Sequence, residues 1–213
     1  MLNIERPLLK TGDEPVIREI TTRMSRFVLA LDAPGEREKE AAYIVETETP
    51  VVITRYTPDK VGAEKNVYLI TALEKSGSKI FLAPGVITPV MFIRVNGGEK
   101  TALEVRKALG DYFTARIKGA YTDGNDLLIN RKKVTGFTVI YRVDSRMLMA
   151  AYMFTIKAAH VAAMTTGADF EGCKYTGIAG VCDETGLSEN DVRAMVEESV
   201  SMVMNWRPAG DTE

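Results

Sequence analysis

Asn125, Asp126 and Lys133 are the residues of this chain whose types and spacing pose a chemical question. The stretch GNDLLINRKKVTGF, residues 124–137, places an Asn-Asp pair at the start of an apolar run. Three consecutive cations follow, Arg131, Lys132 and Lys133, and then Thr135-Gly136. One chemistry for such a pattern is a phosphate site built from a particular lysine, with a glycine beside it that lets a ligand come close to the backbone. The other reading is an ordinary β-hairpin with a basic turn. In that case Leu127, Leu128 and Ile129 form one strand, Asn130 to Lys133 the turn, and Val134 onward the return strand. On local physics alone the hairpin is favoured.

Most other site chemistries are excluded by what the chain does not contain. There is no GxxxxGK[ST] phosphate loop and no GxGxxG after a strand. His160 is the only histidine, so HExxH is impossible and a histidine-based triad or metal cluster is disfavoured. Cys173 and Cys182 match neither CxxC nor a zinc spacing, and nothing near either in sequence predicts an activated thiolate. The ten methionines scatter through apolar faces and read as core filler.

The elements that must position these residues can be read from hydrophobic periodicity. Ile17, Ile20, Met24, Phe27 and Leu31 recur at helical spacing behind Asp13 and Pro15, a cap and a first-turn proline. The charged stretch APGEREKE reads as a solvated linker. AYIVE, PVVITRY, KIFLA and VMFIRV follow as strands. Ala102, Leu103, Val105, Leu109 and Phe113 give a second helix between Glu99 and Phe113. Asp123-Gly124 is a hairpin signal, after which DLLIN, KVTGFTVIY and RMLMAAYMFTI read as a strand meander. The last helix is the best defined, with Ser188 as cap and Asp191 at its third position. Leu187 is placed to staple against Val192, and Val192, Met195, Val196, Val203 and Trp206 make the apolar face. Helices separated by runs of strands, without strict βαβ alternation, predict an α+β domain on a mixed or mostly antiparallel sheet. Val51–Arg55, Leu127–Asn130 and Val134–Tyr141 are expected to share that sheet.

Composition narrows the class further. The 213 residues and 23.5 kDa suit a single domain with a real hydrophobic core. A net charge of −2 weighs against a dedicated nucleic-acid binder. No apolar run is long enough for a membrane span, and the N-terminus does not read as a secretory signal. With only two cysteines, a reducing cytoplasm is the simplest setting.

A larger pattern changes the odds on the opening stretch. NDLLINRKKVTG resembles the motif of the lipoate–protein ligase and biotin–protein ligase superfamily, in which an Asn-Asp pair opens a strand and Lys-Ile/Val-small-Gly follows the next turn. On that resemblance Asn125 and Asp126 are the pair, Lys133 is the motif lysine, and Thr135-Gly136 complete the box. TPVVITRYTPDKVGAEKN is similar to a second lipoate-ligase segment: Pro50 to Ile53 and Arg55 match its strand, and Glu64 and Asn66 its Glu-x-Asn. Thr57 and Pro58 stand where that segment has Gln-Asn. The segment from Lys174 to Val196 resembles the end of the catalytic domain, where a lysine-containing strand leads to a capped helix.

A third signature departs from the family. LEKSGSKIFLAPG aligns with an Arg-Arg…triple-glycine…His pattern, with Ser76-Gly77-Ser78 on the triple glycine. Ala72 and Leu73 occupy the arginine positions and Leu82 the histidine position. Neither Ala nor Leu can neutralise phosphate.

The resemblance implies a single catalytic domain over residues 1–213 with a frayed 207–213 tail, the class II synthetase-like biotin/lipoate ligase fold, and no accessory C-terminal domain. It implies an acyl-adenylate route in which lipoate or octanoate is activated with ATP and Mg²⁺ and passed to a lysine of an acceptor domain, with a separate accessory chain as a further partner. Lys133 would be the catalytic cation. Asn125, Asp126, Arg55, Ser76, Gly77, Ser78, Thr135 and Gly136 would hold the nucleotide, and Asp126 the metal. The alternatives are a non-catalytic module that kept the fold, or an ATP-independent acyltransferase with Cys173 as its one candidate nucleophile.

Overall fold

The computed structural model describes residues 4–5, 8–9, 14–29, 39–48, 51–54, 68–71, 80–165 and 171–207. In chain order its strands are β1 (Ile4–Glu5), β2 (Leu8–Leu9), β3 (Ala41–Thr47), β4 (Val51–Thr54), β5 (Tyr68–Thr71), β6 (Ile80–Leu82) and β7 (Val86–Arg94). They continue as β8 (Ala120–Asp123), β9 (Asp126–Ile129), β10 (Lys132–Arg142), β11 (Met147–Tyr152) and β12 (Phe154–Thr155). The helices are α1 (Glu14–Leu29), α2 (Thr101–Thr114), α3 (Ala159–Met164), α4 (Val181–Thr185) and α5 (Glu189–Met204).

A nine-stranded sheet runs β1-β3-β7-β11-β10-β9-β8, with β12 also on β7 and β2 on β3. Its pairs are antiparallel except for β1 and β2 on β3. Alternation along the central strands buries both faces. Val90 and Phe92 of β7, with Met147 and Met149 of β11, pack with Ile17, Ile20 and Phe27 of α1. Met91, Ile93, Leu148 and Ala150 point the other way, into a cluster with α2 and α5. Met91, Met147 and Met149 are fully buried, as core filler should be.

The expected α+β domain with a largely antiparallel sheet and flanking helices is what forms. One strand grouping differs: β4 pairs with β5 and β6 in a separate three-stranded sheet, whereas β9 and β10 lie in the nine-stranded one. Strand propensity identified β4, but pairing partners are set by tertiary geometry. On α2 the buried face is Thr101, Val105, Leu109, Gly110 and Phe113. Leu103 is instead 55% exposed, two residues before Val105 and so roughly opposite it at ~100° per residue. Ser188 and Asp191 cap α5 reciprocally, as expected. Leu31 and Asp13 fall outside the described residues. Among those described, no helix is long and apolar enough to cross a membrane.

Candidate functional site

Two tight hairpins place the residues of the opening motif. Asp123 faces Asp126 across the first turn, so Gly124-Asn125 is the two-residue loop, and Gly124 has φ +63°. Ile129 faces Lys132 across the second, with Asn130 at φ +50° and Arg131 at φ +61°. Two positive φ values in a two-residue loop match the twist of the flanking strands, and asparagine accepts that backbone readily. The turn is therefore Asn130-Arg131 alone, and Lys132 and Lys133 already belong to β10.

A register shift between Lys133 and Thr135 breaks the β9–β10 ladder locally. The Lys133 backbone is fixed on its other edge by residues 177–179. Its N–H donates to the Gly177 carbonyl at 2.8 Å, and its own carbonyl accepts from the Ala179 N–H at 2.8 Å. The Arg131 carbonyl likewise accepts from the Thr176 N–H at 2.9 Å.

With the backbone held on both sides, the Lys133 side chain has a defined place. Its Nζ lies 2.9 Å from Asp126 Oδ1, with side-chain exposures of 25% and 15%. It also sits 5.0 Å from the centroid of the Tyr175 ring, within cation–π range. Gly136 faces Asp126 in the ladder. A Cβ there would meet Asp126 Oδ1 at 2.8 Å and Lys133 Nζ at 3.0 Å. The glycine is what leaves room for the ion pair. A second ammonium shares the carboxylate, since Lys174 Nζ is 3.2 Å from Asp126 Oδ2 and 3.5 Å from Asp123 Oδ1. Desolvation pulls the Lys174 pKa down, but hydrogen bonds and charge from Asp126 and Asp123 outweigh it, leaving the ammonium above the ordinary lysine value. Burial pushes the Tyr175 hydroxyl up, against the opposing charge of Lys133.

The motif residues are thus brought together unequally. Asp126, Lys133 and Gly136 converge. Asn125 is exposed in its turn, and its carbonyl accepts from the Phe137 N–H at 2.7 Å. Thr135 is 2% exposed, and its buried Oγ1 has no hydrogen-bond partner. Arg55, Ser76, Gly77 and Ser78 lie outside the described residues, as do Ala72 and Leu73. Leu82 is described, and it is buried in the apolar cluster beside α1. His160 and Cys173 are exposed, and Cys182 is half-buried.

As a metal site the donor set does not fit. Both Asp126 oxygens already face ammonium groups, whose positive charge opposes a cation there. The fit to a phosphate or carboxylate anion is better, because the Lys133 ammonium stands beside a glycine with, among the described residues, one carboxylate oxygen as its charged partner. Sequence reading assigned no site role to Lys174 or Tyr175. They lie about forty residues beyond Lys133, and only the docking of residues 176–179 against β10 brings them near.

No protein-family model matches the sequence, and neither does any protein of curated function. Solved structures do match. A bi-partite lipoate protein ligase from Thermoplasma acidophilum, described with its E2 lipoyl domain, is 14% identical over 99% of this chain and 89% of its own, at a TM-score of 0.61. Lipoate-protein ligase A bound with ATP is 10% identical over 100% of this chain and 89% of its own, at 0.60. The biotin protein ligase from Aquifex aeolicus in complex with biotin and ATP is 9% identical over 97% and 74%, at 0.50. The fold is therefore the one shared by these lipoate and biotin protein ligases. At these identities the likeness is one of fold, and this chain has the fold of lipoate–protein ligases, as a divergent example of it.

Proposed function

We propose that the chain is an acyl–protein ligase of the lipoate type. A lipoate or octanoate carboxylate oxygen attacks the α-phosphorus of ATP and pyrophosphate leaves. An acceptor-domain lysine then attacks the acyl carbonyl, forming the amide as AMP leaves and the amine loses a proton. Lys133 supplies positive charge where negative charge develops, first on the α-phosphate and then on the carbonyl oxygen. Such a preorganised donor is worth about 10²–10³ in rate. Asp126 keeps its ammonium in place, and Gly136 leaves the approach open.

The observation that carries this reading is the Asp126–Lys133 pair at 2.9 Å beside a glycine whose Cβ would crowd both partners, at 2.8 Å from Oδ1 and 3.0 Å from Nζ. A lysine serving only as a hairpin cation would need neither. Asn125 belongs to the nucleotide side of the reading as the turn that starts β9. Arg55, Ser76, Gly77, Ser78 and Thr135 stand as nucleotide-side assignments from the sequence resemblance. The partners follow from the same reading: a domain carrying the acceptor lysine, and a separate accessory chain, as in the bi-partite neighbour.

One observation favours the non-catalytic alternative. Leu82, at the position of the motif histidine, is built into the apolar core. An adenylation assay decides between the two. The chain is incubated with ATP, Mg²⁺ and octanoate or lipoate, with and without a lipoyl acceptor domain, and AMP and acylated acceptor are measured. AMP formation that depends on the carboxylate and on Lys133 supports the ligase. No AMP with any short carboxylate, in the presence of the acceptor, overturns it.

A further inference from the structure

Lys174 approaches the candidate site from a different segment, and its contacts differ in kind from those of Lys133. An ammonium has three N–H donors. Lys174 directs its ammonium to Asp126 Oδ2 at 3.2 Å, to Asp123 Oδ1 at 3.5 Å and to the Asp123 backbone carbonyl. It therefore spans both ends of the Gly124-Asn125 turn, and a Cβ on Gly124 would come within 3.3 Å of its Nζ. Its ammonium thus faces three oxygens of the protein itself. Lys133, among the described residues, has one carboxylate oxygen and a ring face as partners, which leaves donors for a ligand.

Two aspartates facing each other across a hairpin repel. Asp123 and Asp126 are such a pair, and Lys174 is the cation between them. By taking Oδ2, it also fixes the rotation of the Asp126 carboxylate and so the direction in which Oδ1 holds Lys133. We propose that Lys174 is a positioning residue for Lys133, acting through Asp126 and touching no substrate. Tyr175, next in sequence, completes the same arrangement by standing under the Lys133 ammonium. The inference rests on the ligase reading for its catalytic consequence, though not for its geometry.

The test uses the full chain as wild type, Lys174→Met and Lys174→Arg, with two readouts. The first is the ¹⁵Nζ resonance of the Lys133 ammonium, which needs no turnover. The second is octanoate-dependent AMP formation, resolved into kcat and the KM for ATP. The proposal expects the Lys133 resonance to move in Lys174→Met and to return in Lys174→Arg. It expects kcat to fall about 10-fold in Lys174→Met with KM little changed, and the arginine variant to recover most of the loss. An unmoved resonance together with unaltered kcat overturns the proposal and leaves the ligase reading intact. Equal losses in both variants, with the resonance unmoved, also overturn it, because the effect is then one of packing and not of charge. A resonance that moves and returns while wild type forms no AMP supports the positioning role and overturns the ligase reading.

Discussion

From Lys132 to Gly136, β10 pairs with β9 on one edge and is met by residues 177–179 on the other. From Phe137 to Arg142 it pairs with β11. The first half carries Lys133 and Gly136 around the Asp126 carboxylate. The second half begins with Phe137, stacked on Phe113 at 6.1 Å and edge-on to Tyr152 at 5.5 Å. A single strand thus changes partners at one peptide bond and changes its use at the same place. Where β11 covers it, Phe137 is buried and Val139, Ile140 and Tyr141 pack half-buried against the core, although Val134 of the first half is a core residue too. Where β11 has ended, the uncovered edge accepts a loop, and that loop brings Lys174 and Tyr175. The contrast teaches that the site is built at the end of a ladder, where backbone groups need partners that only a distant segment can supply.

The two halves should respond to substitution in opposite currencies, and the largest effect falls on the apolar half. Phe137→Ala removes a ring that is 3% exposed and leaves a cavity, so urea denaturation should show a loss of about 3–5 kcal/mol. Lys133→Ala should do the reverse. AMP formation should fall about 10²–10³-fold. Stability should change by less than about 1 kcal/mol, because Lys174 still partners Asp126 and the lost pair is partly solvated. Equal non-zero activity in wild type and Lys133→Ala would show that Lys133 is not the catalytic lysine.

Gly136→Ala sits at the handover. Its Cβ would push into Asp126 Oδ1 and Lys133 Nζ, so both currencies should register, with about 1–3 kcal/mol lost and AMP formation reduced. An alanine variant that keeps full activity would mean the ion pair need not hold its observed place.

The smallest effect is a pH dependence at the tip of the polar half. A hydrogen bond from Lys132, then one from Asn130, holds the Glu184 carboxyl below the ordinary glutamate range. A folded-state pKa lowered in this way contributes stability above the unfolded value, and the contribution is lost as pH falls through the folded one. Acid titration of the melting temperature should therefore be less steep below the usual carboxylate range in Glu184→Gln. An unaltered acid limb would remove Glu184 from the account.

Sequence alone determined a good deal. The helical spacing of Ile17, Ile20, Met24 and Phe27, the Ser188–Asp191 box, and the glycine-bearing turn before β9 are all local patterns, and each formed where its residues predict. That Asp126, Lys133 and Gly136 form one candidate site came from the family resemblance, and two short hairpins bring the three together within eleven residues. Tertiary structure decided the rest. β4 has ordinary strand character, and nothing in its residues says whether it pairs in the large sheet or the small one. Lys174 was legible only as the lysine of a segment that resembles the end of the catalytic domain, and its pairing with Asp126, like the place of Tyr175, comes from residues 176–179 docking on the edge that β11 leaves bare. Periodicity reports which face of an element is apolar. It does not report which distant backbone will satisfy an unpaired N–H, and in this chain that choice completes the site.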